Sequence, residues 1–304
     1  MHEMKEQRVL VLGAGGMLGN TVFRLFADDN RYVTAGTLRS PAKARHFTPD
    51  QRGKLLSDVD VTQDSSLNSV FTSVRPTVVI NCIGIIKQHK AAKDPLTALT
   101  INAMLPHRLA RLCGTNEARL IHMSTDCVFS GQKGNYREDD IPDAQDLYGR
   151  TKYLGETNDS HTVTLRTSII GHELESAYSL IDWFLCQQGS IKGYTKAIFS
   201  GLPTIMVARV IRDLVIGNPS LEGVYHLSAD PISKYDLLSL VAGTYGKRIE
   251  IVPDDGVDID RSLNSDRFRQ ATGYVPPIWP SLVNAMYEDQ QQYIESIQAA
   301  PKAK

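Results

Sequence analysis

A chain of 304 residues, 42% hydrophobic and 22% charged, is long enough to bury a sizeable core while keeping a polar surface. Its formal net charge of −1, with no run of like charge, excludes a nucleic-acid polymer or an anionic membrane surface as the main partner. Cys82, Cys113, Cys127 and Cys186 form no CxxC pair, which excludes a disulfide framework and leaves no metal site to expect.

The N-terminal MHEMKEQRVLVLG runs from a charged stub into about five apolar residues, too few for a signal-peptide core or a membrane span. Together with the scattered thiols this points to a cytoplasmic location. RVLVLG (8–13) is the first predicted strand, and GAGGMLG (13–19) leads from it into a helix carrying Leu18, Val22, Leu25 and Phe26. Gly13, Gly16 and Gly19 keep a GxxGxxG spacing. Missing side chains there permit a tight turn, close approach of the backbone to a pyrophosphate and close packing of helix on strand, so a dinucleotide is the expected ligand over a merely flexible turn.

The second strand, YVTAGTL (32–38), ends at Arg39, where a protein that prefers NAD usually places an acid. A guanidinium there suits a ribose 2′-phosphate, which makes NADP(H) the favoured cofactor and NAD(H) the alternative; a solvated surface arginine is the plainer reading. KLLSDVDV (54–61) reads as the third strand, and its Asp60 and Val61 could meet adenine or simply cap the next helix, whose stripe is Leu67, Val70, Phe71 and Val74. TVVINCIG (77–84), apolar on both faces, is the fourth strand. Its end brings Cys82, Ile83 and Gly84 beside the cofactor ribose, with Cys82 as a plain core residue equally open.

RLIHMS (119–124) is the fifth strand, and STDCVFSG after it sets Ser124, Thr125 and Asp126 at the carboxyl edge, where open α/β sheets bind ligands. Some twenty residues later LYGRTKYLGE places Tyr148 and Lys152 four apart on one helix face, with Cβ atoms roughly 5–6 Å apart. A lysine charge about 4 Å from the phenol would contribute roughly 4 kcal/mol at an effective dielectric of ~20, or about three pKa units, with desolvation opposing it. An isolated YxxxK is more often a snorkelling lysine beside a half-buried tyrosine. TVTLRTSII (162–170) is the sixth strand. SAYSLIDWFLCQQG is expected to be a helix ending at Gly189, SGLPTIMVARVIRDLVIG a loop and helix, and VYHLS (224–228) a strand rejoining the first sheet. SKYDLLSLVAGTYG is a helix capped by Ser233, and the tail ends in a helix over about 281–296.

Strands alternating with helices predict an α/β fold, a Rossmann-type doubly wound parallel sheet with a smaller, discontinuous C-terminal substrate domain. The expected division assigns 1–170 plus about 222–252 to NAD(P) binding and about 171–221 plus 253–304 to substrate.

GxxGxxG after strand one, STD after strand five and YGRTK on the next helix together resemble the extended short-chain dehydrogenase/reductases, nearest to the dTDP-4-dehydrorhamnose reductase group. The resemblance covers nearly the whole chain, through LRTSIIG, GLPT and VYHLS. It implies a nicotinamide cofactor held by Gly13, Gly16, Met17, Leu18, Gly19, Arg39, Asp60, Val61, Cys82, Ile83, Gly84, Asn102, Tyr148 and Lys152. It implies a catalytic set of Thr125, Tyr148 and Lys152 reducing the C4 ketone of a nucleotide-linked 4-keto-6-deoxysugar. Substrate contacts would come from Thr125, Asp126, Cys127, Asn102, Arg166, Ser168, Thr204 and Arg261, each with a loop-stabilising role as the alternative. The partner is then a nucleotide sugar, and a homodimer is left open.

Three positions depart from that group: Cys127 replaces an aromatic residue, Ser130 an aspartate, and FSG (199–201) an acidic loop start. A dehydratase is disfavoured because Cys127 stands where that chemistry needs an acid. An epimerase using the Cys127 thiol, with His172 as the nearest partner acid, and a catalytically silent NAD(P)-binding regulatory subunit are the competing readings.

Overall fold

The computed structural model describes residues 7–87 and 93–300; the charged N-terminal stub lies outside them. The first half alternates β1 (Gln7–Leu12), α1 (Met17–Ala27), β2 (Tyr32–Thr37), α2 (Pro49–Arg52), β3 (Leu55–Leu56), α3 (Asp64–Val74), β4 (Val78–Asn81), α4 (Pro95–Ala98), α5 (Leu105–Thr115), β5 (Arg119–Ser124) and α6 (Leu147–Leu154). Then follow β6 (Thr162–Arg166), β7 (Ile169–Ile170), α7 (Leu180–Cys186), β8 (Ser190–Tyr194), β9 (Ala197–Phe199), β10 (Leu202–Pro203), α8 (Thr204–Val210) and β11 (Gly223–His226). The chain closes with β12 (Ile232–Ser233), α9 (Lys234–Tyr245), β13 (Glu250–Asp254), β14 (Ile259–Asp260), α10 (Asp266–Thr272) and α11 (Trp279–Ala299).

Seven strands form one sheet in the order β11-β6-β5-β4-β1-β2-β3, with every pairing parallel. Side-chain alternation along β1 splits the core. Val9 and Val11 join Val22, Phe23 and Phe26 of α1 with residues of α9 and α11, whereas Leu10 and Leu12 join α3 and α5 on the other face. Burying each such side chain contributes roughly 1.5–3 kcal/mol, which explains why strands covered on both sides read as unbroken apolar runs. The strand order reverses at β1, between β2 and β4, so a crevice opens at the carboxyl ends of β1 and β4.

The expected strand over 54–61 shrinks to Leu55–Leu56, because Asp58 takes a left-handed φ of 59° and turns the chain away. TVTLRTSII also breaks. β6 ends at Arg166, and Ile169–Ile170 pairs instead with Leu202–Pro203, after a turn in which the Ser168 carbonyl accepts from Leu202 N at 2.9 Å. The helix expected to reach Gly189 stops at Cys186, while VYHLS does rejoin the large sheet beside β6. Smaller pairings, β8 with β13 and β9 with both β12 and β14, join stretches distant in sequence.

Candidate active site

The turn between β1 and α1 is built around three glycines. Gly13 has a φ of 84°, and a Cβ on Gly19 would lie 2.1 Å from the Gly13 carbonyl oxygen, so helix and turn touch only because both side chains are missing. Gly16 differs: a Cβ there would find its nearest atom at 3.5 Å, so the protein's own packing does not demand a glycine. Gly16 caps α1 without a side-chain hydrogen bond, and the first turn, with Met17 and Leu18, holds no acid. Free N–H groups at an uncapped, unobstructed helix start fit a pyrophosphate. A Cβ on Gly84 would likewise have room, 3.6 Å from Asn102 Oδ1 and 3.9 Å from Lys152 Nζ.

Arg39 is exposed just past β2, and Lys43 reaches back to donate from Nζ to the Gly15 carbonyl at 3.0 Å. Asp60 is engaged at its turn, where Thr62 N and Oγ1 donate to Oδ1 at 2.9 and 2.7 Å; these bonds hold its carboxyl below the usual range. Val61 is buried in the core, and its carbonyl accepts from Arg108. Cys82 lines the edge with its thiol pushed up to about 12 by burial, and Ile83 packs against Gly13.

Tyr148 and Thr125 meet at the carboxyl edge of β5. The Thr125 hydroxyl faces the phenol and acts to lower it, while Thr125 Oγ1 donates to Asp126 Oδ1 at 3.1 Å and accepts from Cys127 N at 3.1 Å. Burial raises the Tyr148 phenol above its ordinary value, and the charges of Cys127, Asp126 and Asp146 add to that. Lys152 sits one turn along α6 with Nζ donating to the Met123 carbonyl at 2.6 Å. Burial lowers it from 10.5 to about 8, and the charges acting on it are those of Glu156 and Cys82. The expected depression of the phenol by this ammonium is therefore corrected: desolvation dominates both groups, and the ammonium is engaged by the Met123 carbonyl.

Asp126, Cys127, Ser168 and Arg261 gather beside this pair. Burial raises the Asp126 carboxyl; the Arg261 charge and hydrogen bonds from Thr125, Cys127 and Ser168 oppose it. Arg261 is fixed by donating from Nε to the Phe129 carbonyl at 2.8 Å. Burial also drives the Cys127 thiol up to about 12.

Two expected substrate contacts do not reach this cluster. Arg166, 3% exposed, is spent in a buried ion pair with Glu156 at 2.7 Å and a contact to His226 Nε2 at 3.2 Å. Thr204 is buried against α1, accepting from Thr21 Oγ1 at 3.2 Å. Asn102 serves the backbone: Oδ1 accepts from Ile85 N at 2.9 Å and Nδ2 donates to the Ile85 carbonyl at 3.2 Å, so it shapes the loop after β4. His172 is clamped between Asp182 at 2.6 Å and the Tyr245 hydroxyl at 2.9 Å, which removes it as a partner acid for Cys127.

Sequence reasoning missed Lys43, although its signal was a second cation four residues after Arg39. It also missed Asn81, whose buried amide accepts from Ile83 N at 3.1 Å and thereby sets the turn that carries Cys82 and Gly84. Ser124, next to Thr125, instead donates to Glu156 at 2.7 Å.

Residues 7–289 match the family model described as the RmlD substrate binding domain. A dTDP-4-dehydrorhamnose reductase of Aggregatibacter actinomycetemcomitans is 27% identical over 240 residues, covering 75% of this chain and 76% of that relative. Methionine adenosyltransferase 2 subunit beta of Bos taurus is 28% identical over 311 aligned positions, covering 91% of this chain and 89% of that one. Among solved structures, a dTDP-4-dehydrorhamnose reductase from Bacillus anthracis in complex with NADP superimposes with a TM-score of 0.76 at 21% identity, covering 94% and 100% of the two chains. The Bordetella bronchiseptica enzyme WbmG in complex with NAD and UDP gives 0.77 at 17%, covering 95% and 96%. At these identities the structural likeness speaks for the fold.

Proposed function

The chain belongs to the family described by the RmlD substrate binding domain, and on that premise we propose that it is an NADPH-dependent reductase of the C4 ketone of a dTDP-linked 4-keto-6-deoxysugar, serving deoxysugar and surface-polysaccharide synthesis. The observation that carries this reading is the convergence of Thr125 and Tyr148 at the carboxyl edge of β5, with Lys152 on the helix of Tyr148 and the uncapped glycine turn of α1. The exposed Arg39 and the neighbouring Lys43 favour a 2′-phosphate, and NAD is the alternative.

A bound NADPH supplies hydride to the ketone carbon. Tyr148 donates its proton to the ketone oxygen as charge develops there, and the raised phenol guarantees that the proton is present at neutral pH. Thr125 hydrogen-bonds the same oxygen, and Lys152, anchored on Met123, holds a positive charge below it and orients the nicotinamide ribose. Asp126, Cys127, Ser168 and Arg261 face the sugar. A thiol pushed up to about 12 makes a poor base, which weighs against an epimerase built on Cys127.

A second reading, an NAD(P)-binding regulatory subunit, draws support from the relatives named as a subunit of methionine adenosyltransferase. The intact Thr125, Tyr148 and Lys152 set favours the enzyme. Turnover of dTDP-, GDP-, CDP- and UDP-4-keto-6-deoxysugars with NADPH separates the two, with NMR of the product fixing its C4 configuration. Tyr148→Phe should lower kcat by about 10²-fold or more; undiminished turnover by this variant would overturn the mechanism, and no turnover of any substrate by the wild type would favour the regulatory subunit.

A further inference from the structure

Glu175, in the loop between β7 and α7, crosses to a different part of the molecule. Its Oε1 accepts from Arg45 Nη2 at 2.8 Å and pairs with His46 Nε2 at 2.9 Å, and Lys43 adds its charge nearby. All three partners lie on the single 3-10 turn Pro41–His46, directly after Arg39. Lys43 at the same time touches the Gly15 carbonyl, so this basic cluster borders the glycine turn. The link contributes little to stability as an ion pair, because the Arg45 side chain is 66% exposed and that of Glu175 35%. Two cations and an imidazole following the second strand are suited to a dianionic phosphate, and a carboxylate from a remote loop partly neutralises them.

The loop is fastened behind Glu175. His172 is gripped by Asp182 and Tyr245, and Ser179 caps α7 by accepting from Asp182 N at 3.1 Å. Within the loop, Glu173 accepts from Tyr178 N at 2.8 Å and Ser176 Oγ at 2.8 Å. A movement of Glu175 is thus confined between two fixed points and ends on α7, which carries the 40% exposed Trp183.

We propose that Glu175 is a built-in counter-anion that occupies the Lys43, Arg45 and His46 cluster in the free protein, and that a ribose 2′-phosphate displaces it and releases the loop from 173 to 179. The inference rests on the NADP reading of the cofactor site and deepens it. A cofactor without the phosphate leaves Glu175 in place, so the state of this loop distinguishes NADP from NAD. The preference for the phosphorylated cofactor is then the attraction of the cluster less the cost of displacing Glu175.

Calorimetric titration with adenosine 2′,5′-bisphosphate and with 5′-AMP tests this without turnover. Wild type should prefer the bisphosphate; Glu175→Gln should tighten the bisphosphate by about tenfold and leave 5′-AMP unchanged, whereas Lys43→Met should weaken the bisphosphate by about tenfold. The bisphosphate alone should alter Trp183 fluorescence, identified by its loss in Trp183→Phe. A Glu175→Gln protein with the wild-type ratio of affinities, or a Trp183 signal equal for both probes, overturns the displacement. Wild type with no preference between the probes, or no binding of either, overturns the NADP reading and this inference with it.

Discussion

Lys152 holds a charge that its surroundings resist. Its ordinary value of 10.5 falls to about 8 through burial, so the unfolded chain keeps this proton more readily than the folded one. Folding stability is therefore reduced as pH falls from 10.5 through 8, by roughly 3 kcal/mol at neutral pH, a cost characteristic of functional sites. Catalysis runs the other way, since the ammonium is lost as pH rises. We expect kcat/KM to decline above pH about 8 in wild type, and this decline to vanish in Lys152→Arg, whose guanidinium does not titrate there. A wild-type profile flat to pH 10 would remove Lys152 from this role. The spacing of Tyr148 and Lys152 was readable because helical periodicity fixes it. The sign of the phenol's shift was not, because burial is a property of the packed molecule. Arg166 was misjudged for the same reason: a strand residue shows its period in sequence but not whether a buried carboxylate such as Glu156 waits across from it.

At the level of elements, α6 explains its own sequence. Asp146 caps it by accepting from Gly149 N at 2.8 Å, and Gly149 within the helix and Gly155 at its C-cap are contact points. A Cβ on Gly149 would meet the Cys127 carbonyl oxygen at 2.2 Å, and one on Gly155 the Asn102 carbonyl oxygen at 2.0 Å. The helix is thus pressed on one side against the turn that presents Thr125 and on the other against the π-helical segment Leu99–Met104. Asp146→Ala should cost about 1 kcal/mol, seen as a melting temperature lower by about 2–3 °C, and Asp146→Ser should recover most of it. Equal losses for both variants would assign the effect to the Lys87 ion pair instead. Helices with full apolar stripes, α1, α3 and α9, were legible from residue spacing, as was the Ser233 cap. β10 and β12 were not, and β7 was read as a continuation of β6, because two residues have no periodicity and their pairing is decided by distant chain.

Across the whole molecule, the alternation of strands and helices announced the parallel sheet, and topology then placed the glycine turn and Thr125 at one edge. The proposed division into two units crosses a common core. Val9 and Phe23 belong to the same apolar cluster as Phe184, Leu202, Val283 and Met286. Such sharing predicts that the units unfold together: urea denaturation followed by far-ultraviolet circular dichroism and by tryptophan fluorescence should give coincident transitions, and separated midpoints would show independent units. The margins of the large sheet carry a separate implication. One side ends in the two-residue β3 and the other in the four-residue β11, so each rim offers only a brief row of backbone donors and acceptors. Short rims deny a neighbouring chain a template for strand addition, which protects a sheet of seven strands from edge-to-edge aggregation and leaves helical surfaces as the ground for any self-association.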